Sequence, residues 1–402
     1  MEKAKILFVG PVPPEVGGTS YGGIATHLWQ LATHLKNRGF AVYILTNVRS
    51  PFEYNGVHLI AWPNLSKLHK AFTAIKSWWN LPKHPNTILQ DMLLKERLAI
   101  LYNSHVLEEV INDVQPDIIH VHSFHNIATL AFGLLKNYPP LVVTDHGFWQ
   151  GIHNNSDEIR VKKTARLARR IICVSNFSRD RVIQFGLASE DKTTVIYNPI
   201  DPKRIPLLNK EQLKKELGYI GKRVIFFSGV VEPVKRKGLD KLLGCFINNR
   251  EIKERFALII LTDNKTAEFV RSICAHEQLE ALILGPQQWE NIVKLYNLAD
   301  VFVMPSKSES FGLVYVEAML AGTPVVGFQP IIEELSDFLG TYIGEGFDAE
   351  KEDETALSKK IELVMSRNVN RELLRQQVMD KLSWDALLPR FELLYQELLM
   401  SK

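Results

Sequence analysis

Residues 306–327, SKSESFGLVYVEAMLAGTPVVG, restrict this chain to one kind of local fold. Apolar runs of strand length flank the segment's helical part at 301–304 and 324–326. Between them 311–320 reads as a helix, and Gly322 followed by Thr323-Pro324 stops it. Strand, loop, helix, strand in that order puts the loop at the carboxyl end of the first strand, where parallel α/β sheets bind ligands. The N–H groups of the helix's first turn favour an anion there. Two carboxylates mark the place, Glu309 in the loop and Glu317 in an otherwise apolar helix, with seven residues between them. A carboxylate in such a helix needs a partner to offset its desolvation. The plainer alternative is a local ion pair or a solvent-facing side chain.

At 402 residues the chain is too long for one ordinary core, so two domains are expected. Hydrophobic residues at 46% and charged residues at 23% indicate a globular and not a disordered chain. A net charge of +3 is too small to indicate a nucleic-acid partner. The charge is uneven, however. Residues 1–200 carry 21 Lys and Arg against 15 Asp and Glu, whereas 201–402 carry 27 against 30. Eleven of the twelve histidines also fall in the first half. Cys173, Cys245 and Cys274 are far apart, odd in number and set in apolar runs, which predicts buried thiols in a reducing compartment. MEKAKILFVG is broken too soon by Pro11 to be a secretory signal, and no run of 18 apolar residues occurs. The chain is expected in the cytoplasm, or at the inner face of a membrane.

Taken in order, 5–9 is a strand, PVPPEVGGTSYGGIA a loop, 24–35 a helix closed by Arg38-Gly39, and 41–46 the next strand. This resembles a nucleotide-binding start. Yet GGTSYGGIATH is not G-x-G-x-x-G and no acid closes the second strand, which argues against a nicotinamide enzyme or a sugar-nucleotide epimerase. From 65 to 111 the pattern turns to long helices. Leu65, Leu68, Phe72, Ile75 and Trp79 recur among Lys67, Lys70, Lys76 and Lys83. Such a basic helix, with Trp78-Trp79, can lie in a membrane interface or set its apolar side on the core. Strands at 117–121 and 141–144 bring His120, His122 and His146 to strand ends. Metal-ligand spacings such as C-x-x-C and H-E-x-x-H are absent, so no metal is expected. After strands at 171–175 and 194–197, Asn198-Pro199-Ile200-Asp201 reads as a hinge. The rhythm then restarts: strand 224–228, basic loop 229–238 (GVVEPVKRKG), helix 239–246, strands 256–261 and 281–284, and helix 291–299. Beyond 327 come an acidic run and two helical stretches, ending in an amphipathic helix over 383–399 opened by Ser383. Two similarly wound α/β domains with a ligand cleft between them are predicted.

These residues resemble the retaining glycosyltransferases of the GT-B fold, specifically carbohydrate-active family four, over nearly the whole chain and in the right order. The family's paired-Glu motif is matched by Glu309 and Glu317 in SESFGLVYVEAMLAGTPVV, its N-terminal segment by Gly22-Gly23, His27 and LATHLKNRGF, its hinge by 198–201, and its closing segment by SWDALLPRFELLYQELL. The resemblance implies two Rossmann-like doubly wound domains facing each other across a cleft. One, 1–197 with the crossover helix 383–402, would bind the acceptor, and 198–382 would hold a nucleotide-diphosphate sugar. It further implies that Glu309 contacts donor-sugar hydroxyls and that Glu317 accepts hydrogen bonds from the ribose. Ser310 and the amides of Phe311, Gly312 and Leu313 would hold the sugar and diphosphate. Lys237, with Gly229, Lys235 and Arg236 in the same loop, would neutralise the departing phosphate. Gly22 and Gly23 would let the backbone approach the phosphates or the acceptor, His146 would bond the sugar near the reaction centre, and His120 and His122 would lie on the acceptor side. No cofactor or metal is implied; D-x-D is absent.

The chain departs from the family pattern at three places. Gly-Arg at the start of the basic loop is Gly229-Val230, which removes one phosphate cation unless Lys235 or Arg236 replaces it. Gly-Asp-Gly after the next strand is Thr262-Asp263-Asn264, and Gly-Gly-x-x-Glu is reduced to 329–333 with Glu333. The expected activity is transfer of a sugar from a nucleotide donor, UDP-sugar before GDP-sugar, to a glycan or lipid-linked acceptor. The alternative is a nucleotide-sugar-binding protein on the same scaffold with little catalysis.

Overall fold

The computed structural model describes residues 3–20, 22–63, 70, 73–75, 88–229 and 236–401. Trp78-Trp79, most of the basic helical stretch around them, Val230 and Lys235 lie outside the described residues. The chain divides into two compact units, Met1–Asn198 with Leu387–Lys402, and Pro199–Ala386.

In the first unit, β1 (Lys3–Val9), β2 (Phe40–Thr46), β3 (Phe52–Tyr54), β4 (Val57–Ala61), β5 (Ile118–His122), β6 (Leu141–Asp145), β7 (Arg170–Cys173) and β8 (Thr193–Val195) form one sheet, in the order β3-β4-β2-β1-β5-β6-β7-β8. All neighbours are parallel except β3 and β4. Every residue of β5 and β6 is buried, as in central parallel strands covered on both faces, although His120, His122, Thr144 and Asp145 interrupt their apolar runs. The β3–β4 hairpin was not expected from the sequence pattern. Its turn is Asn55-Gly56, both with positive φ (51° and 74°), the backbone that a two-residue hairpin requires.

The second unit holds β9 (Arg223–Ser228), β10 (Phe256–Leu261), β11 (Ala281–Leu284), β12 (Val301–Met304), β13 (Val325–Phe328) and β14 (Gly344–Phe347), all parallel, in the order β11-β10-β9-β12-β13-β14. The sequence pattern placed β10, β11 and β12 at these bounds. It missed β14 and the helix Gln329–Leu339, because acidic residues on that helix's outer face mask the buried set Ile331, Ile332, Leu335 and Leu339. All three cysteines are buried and free, as expected. Among the described residues no helix is long and apolar enough to cross a membrane.

The closing helix, Trp384–Met400, is opened by the Ser383 hydroxyl, which accepts from the Ala386 amide at 3.3 Å. Residues 387–402 belong to the first unit, and Tyr395, fully buried there, hydrogen-bonds His120 Nδ1 through its hydroxyl at 2.7 Å.

Each sheet reverses its winding once, between β1 and β5 and between β9 and β12. Loops diverge there at the strands' carboxyl ends and leave a crevice. At the opposite end Asp300 ties β9 to β12: its carboxylate accepts from the Val224 amide (2.8 Å) and from Lys214 (2.9 Å), with Lys210 at 3.3 Å. Burial alone would raise the Asp300 carboxyl, but the two lysines and the amide outweigh it and hold it low. Asp300→Ala leaves Lys214 and a buried amide unpaired and removes the counter-charge of Lys210, which keeps the Ala299 carbonyl at 2.6 Å. The substitution should therefore cost about 3 kcal/mol of the second unit's stability, read as a lower urea midpoint at unchanged m-value.

Candidate active site

In the second unit the crevice is built by two loops locked together. The loop after β9 ends at Gly238, whose φ of +72° sets up the following helix, Leu239–Asn248. A Cβ there would sit 2.0 Å from the Pro305 carbonyl oxygen, so only glycine lets the loop after β12 lie against it. The Lys307 amide donates to the Arg236 carbonyl at 2.9 Å and fixes the pairing. This brings Lys237 onto Glu309: Nζ donates to Oε1 at 2.6 Å, and the buried Ser306 hydroxyl donates to the same oxygen at 2.8 Å. Glu309 is 7% exposed, and its Oε2 has no partner among the described residues. One carboxylate oxygen is thus fixed by the protein and the other left to accept from a ligand.

The neighbouring helix is Leu313–Leu320, two residues shorter at its start than the sequence pattern suggested. Gly312, with φ +73°, is its cap and no side chain caps it. The Tyr315 amide donates to the Gly312 carbonyl at 2.9 Å, and the Leu313 and Val314 amides are the ones that could take an anion. Tyr315 braces this end. Its hydroxyl donates to the Met304 carbonyl (2.7 Å) and accepts from the Phe328 amide (3.0 Å), bridging the ends of β12 and β13. Its ring occupies the space a Cβ on Gly312 or Gly327 would need. The Phe311 side chain is core (1% exposed), which leaves the backbone as that residue's means of touching a ligand.

Glu317 is half-buried one helical turn further on, and Tyr296 donates to its Oε2 at 2.8 Å. Burial raises the Glu317 carboxyl, opposed by the tyrosine's hydrogen bond and the charge of Arg204. The same contact and burial push the Tyr296 phenol well up, so this hydroxyl stays a donor. After β10, Asp263 caps the helix Asn264–His276, accepting from the Thr266 amide and hydroxyl at 2.9 and 2.7 Å. Glu333 accepts from Gln329 at 2.7 Å. The two altered family segments therefore have local structural work.

The first unit gathers a second cluster. β5 ends at His122, one residue beyond the predicted strand end, and this puts His120 inside the sheet instead of at its rim. His120 is 0% exposed, bonded on Nδ1 to Tyr395 and on Nε2 to Thr144 Oγ1, each at 2.7 Å. Both ring nitrogens are thus taken by protein partners, one of them Tyr395 of the closing helix. His122 is also buried (1% exposed), with Nδ1 3.1 Å from His146 Nε2, and its own Nε2 has no hydrogen-bond partner. His27, from the helix Gly23–Asn37, completes the group; nitrogens of His27, His122 and His146 lie within 4.8 Å of one another. Three converging neutral imidazoles are the donor set among the described residues that could hold a metal ion. They equally suit hydrogen bonds to hydroxyls. Asp145 fixes the turn before His146, accepting from Ser178 Oγ (2.6 Å) and from the Phe148 and Gly147 amides (2.8 and 3.0 Å).

The predicted residues thus fall into two sets, one per unit. Gly229, Arg236, Lys237, Glu309, Ser310, Phe311, Gly312, Leu313 and Glu317 belong to the second; Gly22, Gly23, His120, His122 and His146 belong to the first. Gly22 has φ +116°, and a Cβ on it would meet nothing within 4 Å, so its backbone angle and not crowding calls for glycine. Sequence reasoning missed Ser306, Tyr296 and Tyr315. A tyrosine inside an apolar run, with a hydroxyl that needs a partner when buried, was the signal available for the last two.

Two parallel-sheet α/β units, each with loops gathered where its winding reverses, define a glycosyltransferase of the GT-B type. The Glycosyltransferase Family 4 model matches residues 21–204 and the Glycosyl transferases group 1 model residues 209–379. The chain belongs to this family of transferases. Among relatives, an uncharacterised glycosyltransferase of Methanocaldococcus jannaschii is 25% identical over 94% of this chain and 95% of its own. The N-acetyl-alpha-D-glucosaminyl L-malate synthase of Bacillus anthracis is 23% identical over 96% and 95%. Among solved structures, sucrose-phosphate synthase from Thermosynechococcus elongatus matches at TM-score 0.74 and 16% identity over the whole of both chains. Anabaena HepE in complex with UDP-glucose matches at TM-score 0.69 and 18% identity, over 99% of this chain and all of that one.

Burial pushes His120 down to about 3 and His146 to about 4, and drives His27 and His122 well below the usual imidazole value. The unfolded chain takes up these protons near pH 6.5 while the folded chain refuses them, so stability is full above that pH and declines as pH falls toward 4. Asp145, raised by burial to about 6, works the other way over the same range, but as one group against four. Chemical denaturation at pH 7 and pH 5 should therefore show the first unit weaker at pH 5, by a few kcal/mol.

Proposed function

We propose that the chain transfers a sugar from a nucleotide-diphosphate donor, a UDP-sugar before a GDP-sugar, to a glycan or lipid-linked acceptor in polysaccharide or glycoconjugate synthesis, with retention at the anomeric carbon. The observation that carries this is Glu309, held by Lys237 and Ser306 through one oxygen beside the uncapped start of Leu313–Leu320. The free Oε2 accepts from a donor-sugar hydroxyl. The helix amides take the diphosphate, and Lys237 neutralises the oxygen that leaves. Glu317, with one oxygen fixed by Tyr296, offers the other to the ribose. The acceptor oxygen attacks the anomeric carbon from the side the leaving group departs, the bond to the β-phosphate oxygen breaks, and that phosphate takes the acceptor's proton. His146 bonds the sugar, and His122 orients His146. Glu309→Gln should lower kcat by about 100-fold or more while the far-UV spectrum and melting curve stay near wild type; full turnover in that variant removes the assignment.

Val230, where the family has Arg, favours a second reading: a nucleotide-sugar-binding protein with little catalysis. Calorimetry with UDP-, GDP- and ADP-sugars, followed by assay of nucleotide release, separates the two. Tight binding without release supports the second. Transfer is expected to be metal-independent, so EDTA should leave the rate unchanged. A loss of rate restored by a divalent cation would give the His27–His122–His146 group a metal instead.

A further inference from the structure

In the first unit a cavity of about 300 Å³ opens at the carboxyl ends of β1, β2 and β4, bounded by Asn103 from the helix Leu94–Val114 and by Asn126 beyond β5. That volume is at the small end of ligand pockets, which run from about 300 to 1,000 Å³, so it suits one ring and not a chain of them. Among the described residues no ionisable side chain lines it. Amides, hydroxyls and one aromatic face line it together with aliphatic side chains such as Val9, Val12 and Leu45. Asn103 is 7% exposed and Thr46 4% exposed, and neither side chain is hydrogen-bonded to another described residue. Asn126 spends its Oδ1 on the Ala128 amide at 3.0 Å, which leaves its NH₂ unused. Amide and hydroxyl groups that face a cavity without protein partners are available to hydrogen-bond something that enters it. Trp62, half-buried, gives the apolar face that a sugar ring's C–H side covers, and its backbone is pinned by its amide donating to the Thr46 carbonyl at 2.8 Å.

A second cavity of about 680 Å³ shares Thr19, Asn47 and Trp62 with the first. Its character differs: Arg49 and Lys70 line it, and no acid does. The Lys70 ammonium lies 5.5 Å from the centre of the Tyr102 ring, which holds a cation in place without neutralising it. A neutral, hydroxyl-matching pocket therefore runs into a cationic one across a shared tryptophan.

Resting on the transferase reading above, we infer that these joined cavities seat an acceptor made of one neutral sugar ring bearing a phosphate or diphosphate, the ring between Trp62 and Asn103 and the anion at Arg49 and Lys70. Such an acceptor can be a soluble glycosyl phosphate or a sugar linked through diphosphate to a lipid; the chemistry recognised is shared.

The test is calorimetry on the full chain with N-acetylglucosamine 1-phosphate, glucose 1-phosphate and galactose 1-phosphate, beside the three free sugars. At least one phosphorylated sugar should bind about tenfold tighter than its free form, with the preference shrinking in high salt. Arg49→Gln with Lys70→Gln should erase that preference and leave the free-sugar affinity, whereas Trp62→Ala should weaken both forms. Equal binding of free and phosphorylated sugars by the wild type, no binding of either, or a phosphate preference that survives the double substitution would each overturn the inference. A short-chain lipid diphosphate N-acetylglucosamine binding more tightly than the 1-phosphate supports a lipid-linked source, and equal binding supports a soluble one. UDP affinity measured on the wild type reads the other unit: its absence counts against the transferase reading, while its presence with a failed sugar series counts against this inference alone.

Discussion

Glu309 is nearly buried, and a carboxylate in that setting is costly unless something compensates it. The compensation comes from Lys237, 72 positions away in the chain, and it arrives only because Gly238 lets one loop lie on the Pro305 carbonyl of the other. Everything else in the second unit's crevice follows from that contact. The backbone pairing of Lys307 to Arg236 sets the depth of the loops. Ser306 fixes the rotamer of Glu309, and Tyr315 keeps the helix start from drifting off the end of β12. An acid and a base that neutralise each other at rest leave the empty crevice without a strong field. A phosphorylated ligand then meets a cation already in position, at the cost of sharing it.

The first unit solves a different electrostatic problem. Its cluster is made of imidazoles, and burial keeps them neutral instead of pairing them with acids. A neutral imidazole both donates and accepts, as a hydroxyl does, so such a wall can meet sugar hydroxyls without attracting the ions that a charged wall would. The two clusters therefore divide the chemistry: compensated charge at Glu309 and Lys237, uncharged polarity at the histidines.

Much of this was legible in the residues. Short unbroken apolar runs announce parallel strands, which is why β10, β12 and even the edge strand β11 could be bounded from sequence. Glu317 stood out because a carboxylate in an apolar helix demands an explanation, and Glu309 because its loop follows the carboxyl end of a strand. What could not be read was anything that depends on how distant strands are ordered. Lys237 was singled out for a phosphate, but its pairing with Glu309 needs β9 beside β12. His120 and His122 look alike two residues apart, and only the true strand end, at His122, shows that both are buried in the sheet. The β3–β4 hairpin is a plainer omission, since Asn55-Gly56 between apolar residues is a strong turn signal in its own right.

The His120–Tyr395 hydrogen bond carries a consequence for how the protein is made. A ribosome delivers β5 and its histidine long before it delivers Tyr395, 275 residues later. The first unit therefore waits, with a polar pair half-built in its core, while the whole of Pro199–Ala386 is synthesised. The second unit is continuous in the chain and can close as soon as it emerges. The order of translation is thus the reverse of the order of completion, and the helix Trp384–Met400 seals a unit whose sheet was made well before it.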